Sequence, residues 1–257
     1  MKVLGTLPRL EVNGLLRIAA AGDIHCAPER REEIEDSFAR LAGEADLILL
    51  AGDLTTCGDP EEAEVLATAR RRVDVPVLAV LGNHDWHANR RDEVVDVLEQ
   101  GGIVVLERSW TVSEVNGTRV GVVGTKGFIG GFPDATLPDF GEPLLRQVYA
   151  ETTAEVEALD EGLAAVADCP LRVVLLHYAP TTTTLEGEPK VIWPFLGSDR
   201  LARPISEHHP DLVLHGHGHA GQFEGFIGAV PVFNVSVPVM GRDYWVFELA
   251  ERGKENA

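Results

Sequence analysis

Along this chain, apolar runs repeatedly stop at or near a glycine and then present an acid, an amide or an imidazole, a pattern few folds can use. Val77 to Leu81 ends in Gly82-Asn83-His84-Asp85. Leu15 to Ala21 ends in Gly22-Asp23-Ile24-His25, and Leu47 to Ala51 ends in Gly52-Asp53. Val173 to Leu176 delivers His177, and Leu212 to Leu214 delivers His215-Gly216-His217-Gly218-His219. Glycine lets backbone approach a ligand closely, and the carboxyl ends of parallel strands share the edge where open α/β sheets bind ligands. Residues spread over most of the chain are therefore expected to meet in one place.

The segments between these strands carry the other layers. Ile34, Phe38 and Leu41 stand at helical spacing within residues 29–43, and Leu66, Ala69 and Val73 do so behind Pro60. Residues 91–100 read as a helix closed by Gly101-Gly102. The pattern then turns β-like at 103–106, 111–115 and 119–123, with Asn116-Gly117 as a hairpin signal. A loop is expected over 126–140. One long helix is expected from Pro143 to Ala167, burying Leu144, Leu145, Val148, Val156, Leu159, Leu163 and Val166. A long loop follows at 179–198, then a helix around 199–208 and a β-rich tail without helices. Residues 3–13 are expected to form an edge strand or arm. The 257 residues, 45% apolar, fit a single domain over 1–257. Its expected class is α/β: a four-layer sandwich of two mixed sheets flanked by helices.

Bulk properties exclude several functions. No apolar run reaches the roughly 18 residues that a membrane span needs. Pro8, Arg9 and Glu11 interrupt any signal-peptide core. Cys26, Cys57 and Cys169 are odd in number and scattered, as in a protein of a reducing compartment, so a cytoplasmic location is expected. A net charge of -19 repels extended nucleic acid, and the basic clusters at 30–31, 70–72 and 90–91 lie among Glu and Asp on helical patterns. A small anion held by metal stays compatible with that charge.

Two carboxylates, an amide oxygen and several imidazoles are the donor set of borderline divalent metals such as Mn, Fe, Zn or Ni. They are too many for one catalytic ion, which usually takes three protein ligands. Two ions sharing a carboxylate, about 3.5–4 Å apart, would clamp a phosphoryl group and make hydroxide available near neutral pH. A binuclear metallohydrolase follows from this chemistry alone.

Asp23-Ile24-His25, Gly52-Asp53, Gly82-Asn83-His84-Asp85, His177 and Gly216-His217-Gly218-His219 resemble, in order, the five motifs of the calcineurin-like metallophosphoesterases, over residues 22–219. The resemblance implies that family's αββα fold, with the site at the sheet edge. It implies that Asp23, His25 and His219 hold one metal, that Asn83, His177 and His217 hold the other, and that Asp53 bridges them. It further implies a metal-bridging hydroxide as nucleophile and His84 as the histidine that stabilises the transition state or protonates the leaving oxygen. Asp85 is expected to orient that imidazole.

The expected activity is hydrolysis of a small phosphodiester or phosphomonoester. The Asn-His-Asp and Asp-Ile-His sequences resemble the bacterial cyclic-nucleotide phosphodiesterase branch. A protein Ser/Thr phosphatase is disfavoured, since Asp53 is followed by Leu-Thr-Thr-Cys-Gly and Asn83-His84 by Asp. A nuclease is disfavoured by the acidic charge, and a non-catalytic metal-binding scaffold by the filled ligand positions. His215 is expected in a supporting role, and His87, His208 and His209 at the surface. Cys26 and Cys57 are read as small buried hydrophobes. Phe128, Phe132, Trp193 and Phe195 are read in two ways, as the lining of a pocket that stacks a base or aryl leaving group or as packing that pins the long loops.

Overall fold

The computed structural model describes residues 15–251, so the expectation for 3–13 lies outside the described residues. In chain order the elements are β1 (Leu15–Ala21), α1 (Arg31–Leu41), β2 (Leu47–Ala51), α2 (Pro60–Ala69), β3 (Val77–Val80), α3 (Arg91–Gln100) and β4 (Val104–Val105). Next come β5 (Ser109–Val115), β6 (Thr118–Gly124), the short β7 (Gly131–Phe132) and β8 (Ala135–Thr136), α4 (Pro143–Ala165) and β9 (Leu171–Leu175). The chain closes with α5 (Trp193–Leu196), α6 (Ala202–His208), β10 (Leu212–His215), β11 (Glu224–Ile227), β12 (Val230–Asn234), α7 (Val237–Met240) and β13 (Trp245–Ala250).

Two large sheets form, in the orders β13-β1-β2-β3-β4 and β11-β12-β10-β9-β6-β5, and β7 and β8 pair as a separate two-stranded ribbon. Strands β1 to β4 run parallel, as do β6, β9, β10 and β12. The antiparallel strands β13, β11 and β5 make both sheets mixed. Each central strand is apolar on both faces because it serves two cores. Leu47, Leu49 and Ala51 pack between the sheets with Val173, Leu175 and Leu214, while Ile48 and Leu50 face Ile34, Phe38 and Leu66 of α1 and α2. Val123, Val174 and Val213 meet Leu159 and Leu163 of α4 on the far side. The order helix, sheet, sheet, helix is the expected four-layer sandwich.

The β5–β6 turn places Asn116 and Gly117 at φ 52° and 81°, the left-handed pair that a two-residue hairpin requires. Several details differ from expectation, and the short β7, β8 and α5 interrupt the loops expected over 126–140 and 179–198. Leu144 and Leu145 are exposed, because the first turns of α4 run past the sheet and only Val156 onward meets the core. The tail does contain one helical turn, α7, which follows a bridge from Ser236 to Gly22 and ties the tail to the end of β1. Cys57 is exposed, since its loop lies outside the sheets, whereas Cys26 is buried. No helix among the described residues is long and apolar enough to cross a membrane.

Candidate metal centre

The ends of β1, β2, β3, β9 and β10 converge at one edge of the sandwich. The loops continue the parallel pairing after the strands finish: Asp23 N donates to Gly52 O at 2.9 Å and His25 N to Asp53 O at 3.0 Å. Asp23, His25, Asp53 and His217 all have φ between 48° and 69°, a region that non-glycine residues seldom enter. Strain of this kind persists only where surrounding structure over-determines it, and it clusters at functional sites.

Three groups of side chains bring metal-ligating atoms within 4.8 Å of one another: Asp23, His25 and His219; His25, Asp53 and His84; and Asp53, His177 and His217. Asp53 belongs to two of them and His25 links them to the first. Asn83 stands beside the third group, with its Oδ1 3.0 Å from His177 Nε2. All of the metal-ligand positions named from the sequence are therefore neighbours in space.

Backbone carbonyls fix how the imidazoles present themselves. His177 Nδ1 lies 2.9 Å from Ala51 O, which can only accept, so Nδ1 carries the proton and Nε2 offers a lone pair. That lone pair faces Asn83 Oδ1 and also Asp53 Oδ1, 3.4 Å away. Three acceptor atoms converging on one point fit a cation between them. His25 and His84 follow the same rule, with Nδ1 directed at Thr55 O and Thr56 O and Nε2 4.0 and 3.9 Å from Asp53 Oδ2. His217 is reversed: its Nε2 meets Phe195 O at 3.2 Å, leaving Nδ1 for the site.

The electrostatics suit ligation. Burial, reinforced by His177, pushes the His217 imidazole down to about 4, and burial also lowers His25 against the pull of Asp53 and Asp23. Both are thus held neutral, the form that binds metal. Burial alone would raise Asp23, but the hydrogen bond from His219 and the charges of His177 and His219 hold it below the usual carboxylate range. The same bond, 2.8 Å from His219 Nε2 to Asp23 Oδ1, raises His219.

Asp85 does not orient His84. It is fully buried, and its carboxylate accepts from Leu54 N, Thr55 N, Thr55 Oγ1 and Gly82 N at 2.6–3.2 Å. The Thr56 carbonyl, at 2.7 Å, holds the imidazole instead. Asp85 braces the loop behind Asp53 against the loop before Asn83. His215 belongs to none of the donor groups, and its Nε2 lies 2.8 Å from Thr184 Oγ1. His87 and His209 are exposed, although the His87 ring centre lies 4.3 Å from that of His84 with the two rings tilted by 39°, and His208 pairs with Asp160. The aromatics divide: Phe132 and Trp193 pack with Leu185 and Leu196, Phe195 is exposed, and Phe128 lines a cavity beside Asn83. Sequence reasoning passed over Lys126, Trp86 and Tyr178 in that cavity. The available signal was that Lys126 follows β6, whose end lies on the same edge.

Glycines set the clearances. A Cβ at Gly82 would overlap Asp53 Oδ1 and its amide nitrogen. Gly82→Ala is expected to displace Asp53 and lower turnover roughly 10²-fold, the order of loss for a displacement near 1 Å. Steady-state kinetics of the metal-loaded variant, with circular dichroism unchanged, check this; wild-type turnover would show that the loop absorbs the methyl group.

A family model described as calcineurin-like phosphoesterase matches residues 16–221. No curated protein matches the chain significantly by sequence. Among solved structures, the fold is similar to that of the phosphopantetheinyl hydrolase PptH of Mycobacterium tuberculosis. The TM-score is 0.65 at 17% identity, covering 96% of this chain and 100% of that one. It is also similar to GAP50, the anchor in the inner membrane complex of Plasmodium, with a TM-score of 0.60 at 14% identity over 92% of this chain and 82% of that one. Purple acid phosphatase PPD1 from yellow lupin seeds aligns at 0.50 and 13% identity, over 95% of this chain and 47% of that one. At such identities the likeness speaks for the fold, which hosts an anchor as well as hydrolases.

Proposed function

The chain belongs to the calcineurin-like phosphoesterases, and from that premise we propose that it is a cytoplasmic phosphodiesterase acting on a small substrate with two divalent metal ions. Asp23, His25 and His219 would hold one ion, Asn83, His177 and His217 would hold the other, and Asp53 would be shared between them. The observation that carries this reading is the Asp53 carboxylate, 1% exposed and shared between two groups of imidazoles. A carboxylate that buried is costly unless cations compensate it. Three free cysteines accord with a reducing compartment.

Bound there, such ions supply Lewis acidity toward phosphoryl oxygens and bring the pKa of a water close to neutrality. The chain's own residues prepare the rest. Asp23 and Asp53 together offset only part of the charge of two divalent ions, so the site attracts an anion although the whole chain is strongly acidic. His84 keeps Nδ1–H on Thr56 O and turns Nε2 toward the reacting centre. With a proton on Nε2 it can donate to the leaving oxygen.

The test is hydrolysis of bis-p-nitrophenyl phosphate by chelator-stripped protein before and after addition of Mn. Background turnover when stripped, restored as two equivalents bind, is the expected result. Two bound equivalents without turnover would overturn the phosphodiesterase reading. A separate prediction concerns His84→Ala. On a good leaving group such as p-nitrophenolate the loss is expected to stay near tenfold, whereas on a phenyl ester it should reach about 10²-fold or more. The check is the dependence of rate on leaving-group pKa across aryl esters; an unchanged slope would remove the proton-donor role.

A further inference from the structure

Lys126 follows Thr125 at the end of β6, which pairs with β9 and so ends on the edge that carries His177. Its carbonyl accepts from the amides of His177 and Tyr178, both at 3.0 Å, which fixes this loop against the candidate metal centre. The side chain is only 9% exposed, yet among the described residues its ammonium donates to a single acceptor, Gly127 O at 3.1 Å. An ammonium carries three donors, and leaving a buried charge so poorly paired is costly. Neither nearby carboxylate pairs with it directly, although Glu155 and Glu151 stabilise its charge through space. Arg108 binds both Glu151 and Glu155, and Glu155 also accepts from Thr125 Oγ1 and Gly127 N.

What surrounds the ammonium is aromatic. Nζ lies 4.3 Å from the Phe128 ring centre, 5.2 Å from Tyr178 and 5.9 Å from Trp86, within cation–π range of all three. These residues, with Asn83 and Glu151, line a cavity of ≈ 280 Å³. That is close to the lower end of small-molecule pockets, about 300 Å³. The cavity adjoins the metal-binding groups twice, through Asn83 itself and through Tyr178, whose ring centre is 4.5 Å from that of His217. Glu151 on its wall shares the single charge of Arg108 with Glu155, so Lys126 balances what remains of that pair while two of its N–H donors have no protein acceptor among the described residues.

We propose that this cavity is a substrate subsite, in which Lys126 binds a second anionic group carried by a planar substituent that packs against Trp86, Phe128 and Tyr178. The assignment rests on the phosphoesterase reading above and narrows it. The substrate class becomes a phosphoester with a further phosphate or carboxylate beside a ring. Asn83 belongs to the candidate metal centre and to the cavity wall alike, so one molecule can span both.

Two chromogenic esters separate the possibilities: thymidine 5′-p-nitrophenyl phosphate, and the same compound bearing a 3′-phosphate. They share the leaving group and the ring and differ by one anionic group. Wild-type enzyme with Mn is expected to show a KM about 10- to 100-fold lower for the 3′-phosphorylated ester, the value of a hydrogen bond to a charged group. Lys126→Met should erase that preference with kcat changed less than about threefold, and Lys126→Arg should retain part of it. Equal KM values in the wild type, or a Lys126→Met effect that falls equally on both esters, would overturn the subsite. Calorimetric titration of metal-free protein with thymidine 3′,5′-bisphosphate gives a second readout, with affinity about tenfold weaker in Lys126→Met. If neither ester turns over while the bisphosphate still binds through Lys126, the phosphoesterase reading fails and the subsite stands. If both esters turn over and the bisphosphate binds Lys126→Met as tightly as wild type, the subsite fails and the phosphoesterase reading stands.

Discussion

Asp53→Asn is expected to lower turnover of bis-p-nitrophenyl phosphate roughly 10³-fold while the metal-free protein melts no earlier than wild type. Lewis-acid stabilisation is worth several kcal/mol, and about 1.4 kcal/mol is a factor of ten. The asparagine is isosteric, tolerates the left-handed φ of 49°, and can still accept the His84 amide, which donates to Asp53 Oδ1 at 2.8 Å. What disappears is the negative charge that two cations would share. Without metal, that charge is a liability: Asp53 is buried, and it raises the neighbouring buried Asp85, on which burial itself acts most strongly. Calorimetric metal titration should therefore show weakened binding where thermal unfolding shows no loss. Full activity in Asp53→Asn would remove the bridging role; a large drop in melting temperature would make the residue structural.

Asp85→Ala should behave in the opposite way, with stability falling first. The substitution leaves the Leu54, Thr55 and Gly82 amides and the Thr55 hydroxyl without their acceptor in a fully buried place. Orphaned buried donors cost about 1–3 kcal/mol each and are not fully additive, so a loss of roughly 3–5 kcal/mol is expected in denaturant unfolding of metal-free protein. Asp85→Asn should lose less, about 1–3 kcal/mol, because the hydroxyl can rotate but one backbone N–H must then face the new amide N–H₂. Wild-type stability in Asp85→Ala with reduced turnover would instead return Asp85 to a role in the reaction.

The fate of Asp85 marks where sequence reading stops. That Asp23, Asp53, Asn83, His177 and His217 share one edge was legible, because parallel strands flanked by helices leave their carboxyl ends together. The strand bounds followed from apolar runs between glycines, and the hairpin from Asn116-Gly117. The partner of a given carboxylate was not legible. Asp85 sits next to His84 in sequence, yet the 3-10 turn from His84 to Trp86 sends the two side chains apart, one to Thr56 O and the other beneath the loop. Leu144 and Leu145 kept the helical period of α4 but not its contact, since periodicity reports a face and not what the face meets. Lys126 was hidden for another reason: a lone lysine in a glycine-rich loop has no spacing to recognise, and only the fold brings Trp86 and Tyr178 to it.

The seam between the two sheets bears on how the protein is made. Asp23 at the end of β1 accepts from His219, 196 residues later, and His177 donates back across 126 residues to Ala51. Contacts this distant in sequence form only after the loops between them have closed, the slow part of folding a chain rich in non-local pairings. The group of His25, Asp53 and His84 needs β1, β2 and β3 together, and the other two groups wait for the chain to reach β9 and β10. A metal ion that uses all of these donors would therefore find them together only after those loops have closed.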